Sequence, residues 1–493
     1  MLIKPQFEEA RFFLTDLAKV KIGGRWGLVD KKGKIFLPPY YDLIYAAARD
    51  GRVVACIGGN KDGHGGLWGF TPRFLGDTLP LRYELIRESG AANRLSVLKN
   101  NLWGAIDAQG QLVIPCLYAV ERPEDHTLIP FSQRIYTASR EKIAETPPYL
   151  KLQFFNGKAR VRRDDKWGYI NTFGNAVIPF DYEYLGHFSQ GRVCAIIKEG
   201  KNFKMGFLDE AGEWKIPPVY DVVVGQYPHQ NFREGKVAVL KDGKWGYLDL
   251  KGNLVIPFQF AQVHPFAEGR ALVSQDESQL LARWQIINGQ GQVVANLPEG
   301  VEWLDFTFEQ GFIRGRKNNE VFYINREGQI LAAPILKMGC PFVGEYAQVV
   351  VEENGQTLWG LLNREGKWAL PPIYDFEGKF YSDFENRYFI VAQKGQWGLV
   401  EVKSQKTILP FQYLALQWPQ EPSPARFTHP KTLFPARLEK GWCYLNYKGK
   451  TVIPGPFAEA QPFQEGYARV RSLKTGQWGY INKKGQAFFK DDY

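Results

Sequence analysis

The residue types that most often perform chemistry are spread thinly along this chain of 493 residues. The six histidines are scattered, and the sequence contains no HExxH, GxSxG or Walker pattern. These patterns mark common zinc proteases, serine hydrolases and nucleotide-binding enzymes, so none of these classes is indicated. The five cysteines form no CxxC pair, which argues against a zinc site or a disulfide framework. We therefore expect no catalytic residue, no metal and no cofactor.

One charged pattern has a possible binding role. In four segments a basic residue alternates with a small apolar residue, and alternation along a strand places the basic side chains on one face. This face is either an anion-binding patch or a solvated strand surface, and we favour the second interpretation. The net charge of +10 permits an acidic partner without requiring one, and nucleic acid is not the expected partner. The candidate residues are Lys19, Lys21, Arg160, Arg162, Arg314, Arg316, Arg469 and Arg471.

An internal repeat organises nearly the whole chain. Its most conspicuous feature is a Trp-Gly pair that occurs eight times, at Trp26, Trp68, Trp103, Trp167, Trp245, Trp359, Trp397 and Trp478. Four further units keep the surrounding pattern without the pair and are centred on Met205, Trp284, Val321 and Trp442. Together these make about twelve units with a period of about 39 residues.

Several other positions recur with the tryptophan. In most units an Asp or Asn follows after four residues, a Gly after seven and a Pro after twelve or thirteen, and a Phe-x-x-Gly element comes later. The Asp and Asn side chains could in principle bind calcium. Turn formation explains them better, because the same residue stands at the same distance from a glycine in unit after unit.

The unit from Gly157 to Tyr184 illustrates the expected local structure. Residues 158–162 and 166–170 are predicted to be two strands joined by a tight turn, and Asn171 and Gly174 are expected to close a second hairpin before a third strand at 176–178. Pro179 is expected to end that strand, because proline cannot donate to a central ladder. A short fourth strand is possible in the crossing segment. A sheet this small cannot bury its own face, so neighbouring units must stack.

The Trp-Gly pairs are more consistent with packing than with ligand binding. A glycine inside a strand often marks the close approach of another segment, and the large ring beside it is expected to pack in the core. Stacking of these rings on carbohydrate is the alternative.

These motifs resemble those of the WG repeat family, also called KWG repeats, which occurs mostly in bacterial proteins. The residues that carry the resemblance are 166–171 (KWGYIN) with 177–179 (VIP), and 244–249 (KWGYLD) with 255–257 (VIP). The resemblance covers nearly the whole chain and implies an array of β units. It implies little about activity.

The expected fold is therefore all-β, an array of about twelve antiparallel units of three or four strands. An open superhelical stack is favoured, and one or two β-propellers are the alternative. Repeats 1–3 are assigned to residues 1–116 and repeats 4–12 to residues 154–493. Residues 117–153 are an insert that could hold a short helix and contribute to partner binding.

The favoured function is that of a non-enzymatic scaffold that binds a protein partner. Binding of a polysaccharide or another cell-envelope ligand through exposed aromatic rings is the alternative, and an enzyme is the least expected class. No apolar run is long enough for a transmembrane helix and no signal peptide is visible. A cytoplasmic location is expected, although a secreted or periplasmic chain whose signal had been removed would have the same composition.

Overall fold

The fold was analysed in a computed structural model that carries side chains. The described residues form strands and turns, and none of them forms a helix long and apolar enough to cross a membrane. The structure describes residues 7–14, 17–30, 34–46, 53–59, 65–71, 81–89, 91, 94–119, 152–222, 231–277, 282–331, 335–376, 381–382, 387–419, 432–464 and 466–486. The helix that the 117–153 insert could hold lies outside these residues.

The chain divides into two compact units. Unit 1 contains Met1–Leu85 and Val343–Tyr493, and unit 2 contains Ile86–Phe342. The all-β class is confirmed in both units, because every regular element in the described residues is a strand in an antiparallel sheet. The pairing of strands repeats from one sheet to the next, so one description serves all of them.

Unit 1 begins with two four-stranded sheets and continues after residue 343 with three more. The first two contain β1 (Glu9–Leu14), β2 (Leu17–Ile22), β3 (Arg25–Asp30), β4 (Ile35–Tyr41), β5 (Leu43–Ala46), β6 (Val53–Ile57), β7 (Leu67–Thr71) and β8 (Leu81–Tyr83).

Unit 2 holds the repeats in the middle of the chain. Its strands are β9 (Leu85–Glu88, from its second residue), β10 (Leu95–Lys99), β11 (Leu102–Ile106), β12 (Leu112–Tyr118), β13 (Lys158–Arg163), β14 (Lys166–Asn171), β15 (Ala176–Tyr182), β16 (Tyr184–Leu185), β17 (Val193–Glu199), β18 (Asn202–Leu208), β19 (Trp214–Asp221), β20 (Lys236–Lys241), β21 (Lys244–Asp249), β22 (Leu254–Phe260), β23 (Gln262–Val263), β24 (Arg270–Ser274), β25 (Trp284–Asn288), β26 (Val293–Asn296), β27 (Trp303–Leu304), β28 (Phe312–Lys317), β29 (Glu320–Asn325) and β30 (Met338–Gly339).

The remaining strands of unit 1 follow the same order. They are β31 (Tyr346–Glu353), β32 (Gln356–Asn363), β33 (Trp368–Asp375), β34 (Tyr381–Ser382), β35 (Tyr388–Gln393), β36 (Gln396–Glu401), β37 (Lys406–Tyr413), β38 (Ala415–Leu416), β39 (Leu433–Leu438), β40 (Gly441–Asn446), β41 (Thr451–Ala460), β42 (Tyr467–Ser472) and β43 (Trp478–Asn482).

In a typical repeat the crossing segment, two long strands and a third strand pair in sequence order, as β16-β17-β18-β19 and β34-β35-β36-β37 do. The Trp-Gly pair lies on the second long strand. The predicted hairpin turn is confirmed at Asp164 and Asp165, which have φ values of 50° and 63°. Two residues with positive φ form the kind of tight turn that follows the twist of an antiparallel hairpin.

The second predicted turn is also confirmed. The Asn171 side-chain oxygen accepts hydrogen bonds from the backbone N–H groups of Phe173 and Asn175 at 2.9 and 3.0 Å. Gly174 has a φ of 83°, and its N–H donates to the Asn171 carbonyl. The same Asx turn recurs at Asp209, Asp249 and other repeats, so these side chains hold a turn that the sequence pattern predicts.

The third strand differs from the prediction at its proline. The strand does not end at Pro179 but continues to Tyr182. Tyr169 pairs with Ile178 and Trp167 pairs with Tyr182, so Gly168 alone lies opposite residues 179–181. Proline is accommodated because the ladder is already interrupted by this bulge, where no N–H donor is needed.

The bulge explains the glycine after the tryptophan. A Cβ atom on Gly246 would lie 2.8 Å from the Ile256 carbonyl oxygen and 2.9 Å from the Phe258 ring. Gly27, Gly206, Gly360 and Gly398 meet the corresponding carbonyl in the same way. The expected close approach is confirmed, and the approaching segment is the third strand of the same repeat.

Neighbouring repeats share each hydrophobic core. One buried cluster contains Trp245 and Tyr247 of one repeat together with Phe266 and Ile287 of the next. In several repeats the turn glycine also rests on the aliphatic residue before the bulge of the preceding repeat, as Gly252 does on Ile216. Stacking, rather than any single sheet, therefore buries the apolar faces.

Within unit 1 the first repeat packs on the last. Phe7 pairs with Trp478, which is the pairing that Trp167 makes with Tyr182 inside a single repeat. The Tyr480 hydroxyl donates to the Arg11 carbonyl. The N-terminal residues thus complete the last repeat, a contact that the propeller alternative requires and an open stack lacks.

A glycine substitution tests the role of the bulge. We expect Gly246→Ala to lower the free energy of unfolding by about 1–3 kcal/mol, because the new methyl group overlaps the Ile256 carbonyl and the backbone must move. Gly289→Ala is the matched control, since its Cβ would meet only the tip of the Lys236 side chain at 3.5 Å. Chemical denaturation measures both. Equal midpoints for the two variants would contradict the explanation.

Candidate functional site

The repeated tryptophans are mostly inside the protein. Trp68, Trp103, Trp167, Trp245 and Trp359 are buried, with exposed fractions from 0 to 9%. Trp26, Trp397 and Trp478 are partly buried. Each of the five buried rings has little surface left for stacking on a ligand, which agrees with the packing interpretation.

In five repeats an aromatic residue two positions after the tryptophan position contacts a ring of the next repeat. The Tyr247 ring meets the Phe266 ring of the next repeat at 5.0 Å between centroids, with a 69° angle between the planes. Edge-to-face pairs at this distance are favourable beyond the area they bury. The same contact joins Tyr169 to Phe188, Phe207 to Phe232, Tyr323 to Phe342 and Tyr444 to Phe463, at 5.0–5.2 Å. Phe188, Phe232, Phe266 and Phe463 make this contact from the Phe-x-x-Gly element.

The tyrosine hydroxyls reinforce this contact. Tyr169 donates to the Gly186 carbonyl at 2.6 Å, and Tyr323 donates to the Cys340 carbonyl at 2.7 Å. Burial raises the pKa of both hydroxyls above the usual value for tyrosine. They therefore stay protonated and act as donors rather than as acid–base groups.

The first member of three predicted basic pairs is a bridge between repeats. Arg160 donates to the Leu185 carbonyl at 2.7 Å and its guanidinium lies 4.5 Å from the centre of the Trp167 ring. Arg469 likewise donates to the Ala10 carbonyl and lies 4.1 Å from the Trp478 ring. Both acceptor carbonyls, those of Leu185 and Ala10, lie in the crossing strand of the following repeat.

Arg314 makes the strongest of these bridges. Its guanidinium donates to both Asp305 carboxylate oxygens at 2.8 and 2.9 Å and to the Gly339 carbonyl at 2.6 Å. Both side chains of the ion pair are about one-fifth exposed. A two-point ion pair of this kind fixes the orientation of the guanidinium.

The equivalent lysine in the first repeat is also shielded. Burial, followed by repulsion from Arg11, lowers the pKa of Lys19. This group therefore belongs with the inward-facing members of the pattern.

The second member of each pair lies nearer the surface and has an acidic neighbour. Lys21 pairs with Glu9, Arg162 with Asp165, Arg316 with Glu302 and Arg471 with Glu459.

The eight residues are not brought together in one patch. Lys19, Lys21, Arg469 and Arg471 lie in adjoining repeats of unit 1, where strand β1 separates the two pairs by contacting both β2 and β42. The Arg160 and Arg314 pairs lie on β13 and β28 of unit 2, in different sheets. An anion-binding role for these eight basic residues stays a prediction. The contacts described above give several of them a structural role.

Sequence reasoning missed the exposed side of the third strands. We call this set the third-strand row: it consists of apolar side chains at the start of the strand and just before its buried aromatic residue. Its members are Ile35, Tyr40, Leu112, Leu117, Trp214, Val219, Leu254, Val293 and Ile373, each 37–64% exposed. Their regular distance from the Trp-Gly position was the available signal. It was overlooked because the bulge shifts the alternation of inward and outward residues partway along the strand.

Two arginines on one strand separate a structural role from surface binding. We expect Arg314→Met to lower the free energy of unfolding by about 2–3 kcal/mol, because it leaves the largely buried Asp305 and the Gly339 carbonyl without their donor. Arg316→Met should change it by less than about 0.5 kcal/mol, since that ion pair is nearly half exposed. Thermal and denaturant unfolding provide the comparison, and equal effects would argue against the bridging role.

Comparison with known proteins supports the repeat assignment. The family described as "WG containing repeat" matches at residues 1–26, 26–60, 103–119, 167–203, 205–245, 245–277, 359–397 and 442–472. None of the curated proteins compared with the chain matches it.

Among solved structures, the chain is similar to one described as the crystal structure of the eukaryotic initiation factor, with 12% identity, a TM-score of 0.33, and coverage of 62% of this chain and 86% of the other. A tricorn protease matches with 9% identity, a TM-score of 0.22, and coverage of 97% and 61%. "KlHsv2 with loop 6CD replaced by a Gly-Ser linker" matches with 8% identity, a TM-score of 0.26, and coverage of 66% and 93%. The family match extends over just over half of the sequence, and the chain belongs to the WG repeat family.

Proposed function

We propose that this protein is a non-enzymatic scaffold that binds a protein partner, and that it does so through the third-strand row. The row supports this function because apolar side chains recur at equivalent exposed positions of several repeats. Leu112 and Leu117 are each 52% exposed, while the neighbouring Tyr118 is 5% exposed. Within unit 2, which holds six of the nine members, regularly placed apolar side chains on stacked repeats form an extended surface that a partner can cover.

Most strands that carry the row are terminal in their sheets, as β4, β12, β22, β26 and β33 are. The exception is β19, which pairs with β20 through Asp221. Prolines within these strands, such as Pro38 and Pro39, remove backbone donors from that edge. A partner would therefore contact side chains of the row rather than add a strand along its whole length.

A protein partner fits this surface better than a polysaccharide. Seven of the nine members of the row are aliphatic, and sugar binding through stacking needs aromatic rings. Other exposed rings, including Phe155, Phe173, Phe203 and Phe306, stand at different positions in their repeats, so they do not form a matching series along the array. Polysaccharide binding stays the alternative.

The tyrosines, arginines and turn carboxylates also favour a structural scaffold over an enzyme. In the repeats described above, the tyrosine hydroxyls donate to backbone carbonyls and the turn side chains accept backbone N–H groups. These groups stabilise the array itself. Protein binding by such an array needs surface area and shape, not a reacting group.

Substitutions in the row test the proposal. We expect Leu112→Ser, Leu117→Ser, Val219→Ser and Leu254→Ser, combined in one protein, to leave the melting temperature nearly unchanged because all four side chains are largely exposed. The partner is first captured by cross-linking in a native extract and identified, and its 1:1 binding is reproduced with purified proteins. The variant with all four substitutions should then lose most of this binding.

The matched control replaces the exposed rings Phe155, Phe173 and Phe203 with serine. It should retain the protein partner. Loss of binding to an immobilised polysaccharide in the control, with normal protein capture by the row variant, would overturn the proposal in favour of the alternative.

A further inference from the structure

The turns between the second and third strands have different charges in the two units. In unit 1, three successive repeats carry lysines there: Lys448 and Lys450, then Lys483 and Lys484, then Lys34. The equivalent turns of unit 2 are neutral or acidic, as 171–175 (NTFGN), 209–213 (DEAGE) and 288–292 (NGQGQ) show. We call Lys34, Lys448, Lys450, Lys483 and Lys484 the basic turns.

The backbone holds two of the basic turns in fixed positions. The Asn446 side chain accepts the N–H groups of Lys448 and Lys450 at 3.0 Å. Asn482 accepts the N–H of Lys484 at 3.0 Å. These lysines therefore project from hydrogen-bonded turns. In the first repeat, Asp30 accepts the N–H of Lys34 at 2.8 Å.

The turns also belong to adjoining repeats. A Cβ on Gly485, next to Lys484, would meet the Ile453 side chain at 3.0 Å, three residues after Lys450. Phe7 pairs with Trp478, which joins the repeat containing Lys484 to the repeat containing Lys34. The positive charges thus follow one another along unit 1.

Most of these lysines have no acidic residue in their own turn; Lys34, which shares its turn with Asp30, is the exception. Within the described part of the chain, Lys34, Lys448, Lys450 and Lys484 form no ion pair, whereas several lysines elsewhere do. All four are exposed. Exposed, unpaired charge of one sign attracts and orients an acidic partner.

Exposed apolar side chains lie directly beside the basic turns. Ile35 follows Lys34 and is 50% exposed, and Val452 comes two residues after Lys450 and is 44% exposed. A ligand that covers this region meets ammonium groups and aliphatic side chains together. A nucleic-acid phosphate backbone has no apolar groups that could pack against these aliphatic side chains. Lysine also lacks the two-point geometry with which arginine recognises phosphate.

We propose that the basic turns bind a polypeptide segment in which acidic residues are interspersed with apolar ones. The inference rests on the proposed function and specifies the partner of unit 1. The carboxylates pair with the lysines of the three turns, and the apolar side chains of the segment cover Ile35 and Val452.

Fluorescence anisotropy at physiological salt tests the proposal with defined probes. These are a labelled 20-residue peptide of alternating Glu and Leu blocks, the same peptide with Ser in place of Leu, a 20-nucleotide single-stranded DNA, and phosphatidylserine–phosphatidylcholine vesicles. We expect the Glu–Leu peptide to bind most tightly and the Ser version to bind several-fold more weakly. The affinity of the Glu–Leu peptide should fall with increasing salt.

Two charge-matched variants make the test specific. Lys34→Gln, Lys448→Gln, Lys450→Gln and Lys484→Gln together should weaken binding of the Glu–Leu peptide by about tenfold or more. The control, Lys201→Gln, Lys241→Gln, Lys244→Gln and Lys251→Gln, removes the same net charge from exposed positions of unit 2 and should change the affinity by less than about twofold.

Equal weakening by the two variants, no binding of the peptide, or tighter binding of the DNA or the vesicles would overturn the inference. The scaffold proposal is tested separately, because its row variant changes only residues of unit 2. If the row variant keeps its partner while the lysine variant loses the peptide, the scaffold proposal alone has failed. If the row variant loses its partner while the lysine variant binds the peptide normally, the inference about the basic turns alone has failed.

Discussion

The rest of the structure depends on one recurring contact, in which an aromatic ring of one repeat meets the phenylalanine of the next, as it does in five repeats. A sheet of three or four short strands has too little area to bury its own face. The ring pair supplies the missing cover: Tyr247 and Phe266 are both nearly inaccessible to solvent, and they come from different repeats. The Tyr247 hydroxyl, which donates to the His264 carbonyl at 2.7 Å, sets the distance between the same two repeats.

The other repeated residues support this contact. The Trp-Gly glycine lets the third strand bulge over the second, and the bulge returns the buried aromatic residue, such as Phe260, to a position opposite the tryptophan. The Asx turn fixes the start of that strand. Arginines such as Arg160 then connect the first long strand to the crossing strand that follows. Because these polar groups stabilise the turns and join the repeats, the proposed binding surface is limited to the outer strand and its turns.

The sequence predicted the local features well. Asn171 and Gly174 form the expected turn because both hydrogen bonds close within five residues, where residue type alone determines the backbone. The Trp-Gly glycine was correctly assigned to a close approach for a similar reason. Pro179 was wrongly expected to end its strand, since the rule for proline in a ladder takes no account of a bulge at that point.

Features that depend on distant residues were harder to predict. The partners of Arg160 and Arg314 are backbone carbonyls about 25 residues away, so a pattern of alternating charges was compatible with an anion-binding face. The third-strand row was missed because the bulge changes which residues point outward. The role of the 117–153 insert in partner binding and the cytoplasmic location both stay predictions.

A double-mutant cycle on Tyr247 and Phe266 tests the central claim most directly. The free energy of unfolding is measured for the wild type, Tyr247→Leu, Phe266→Leu and the double variant. If the ring contact joins the repeats, the two substitutions should be coupled by about 1 kcal/mol, because either one alone already removes the edge-to-face pair. Additive effects, within about 0.3 kcal/mol, would contradict the account and show that each ring only fills space in its own repeat.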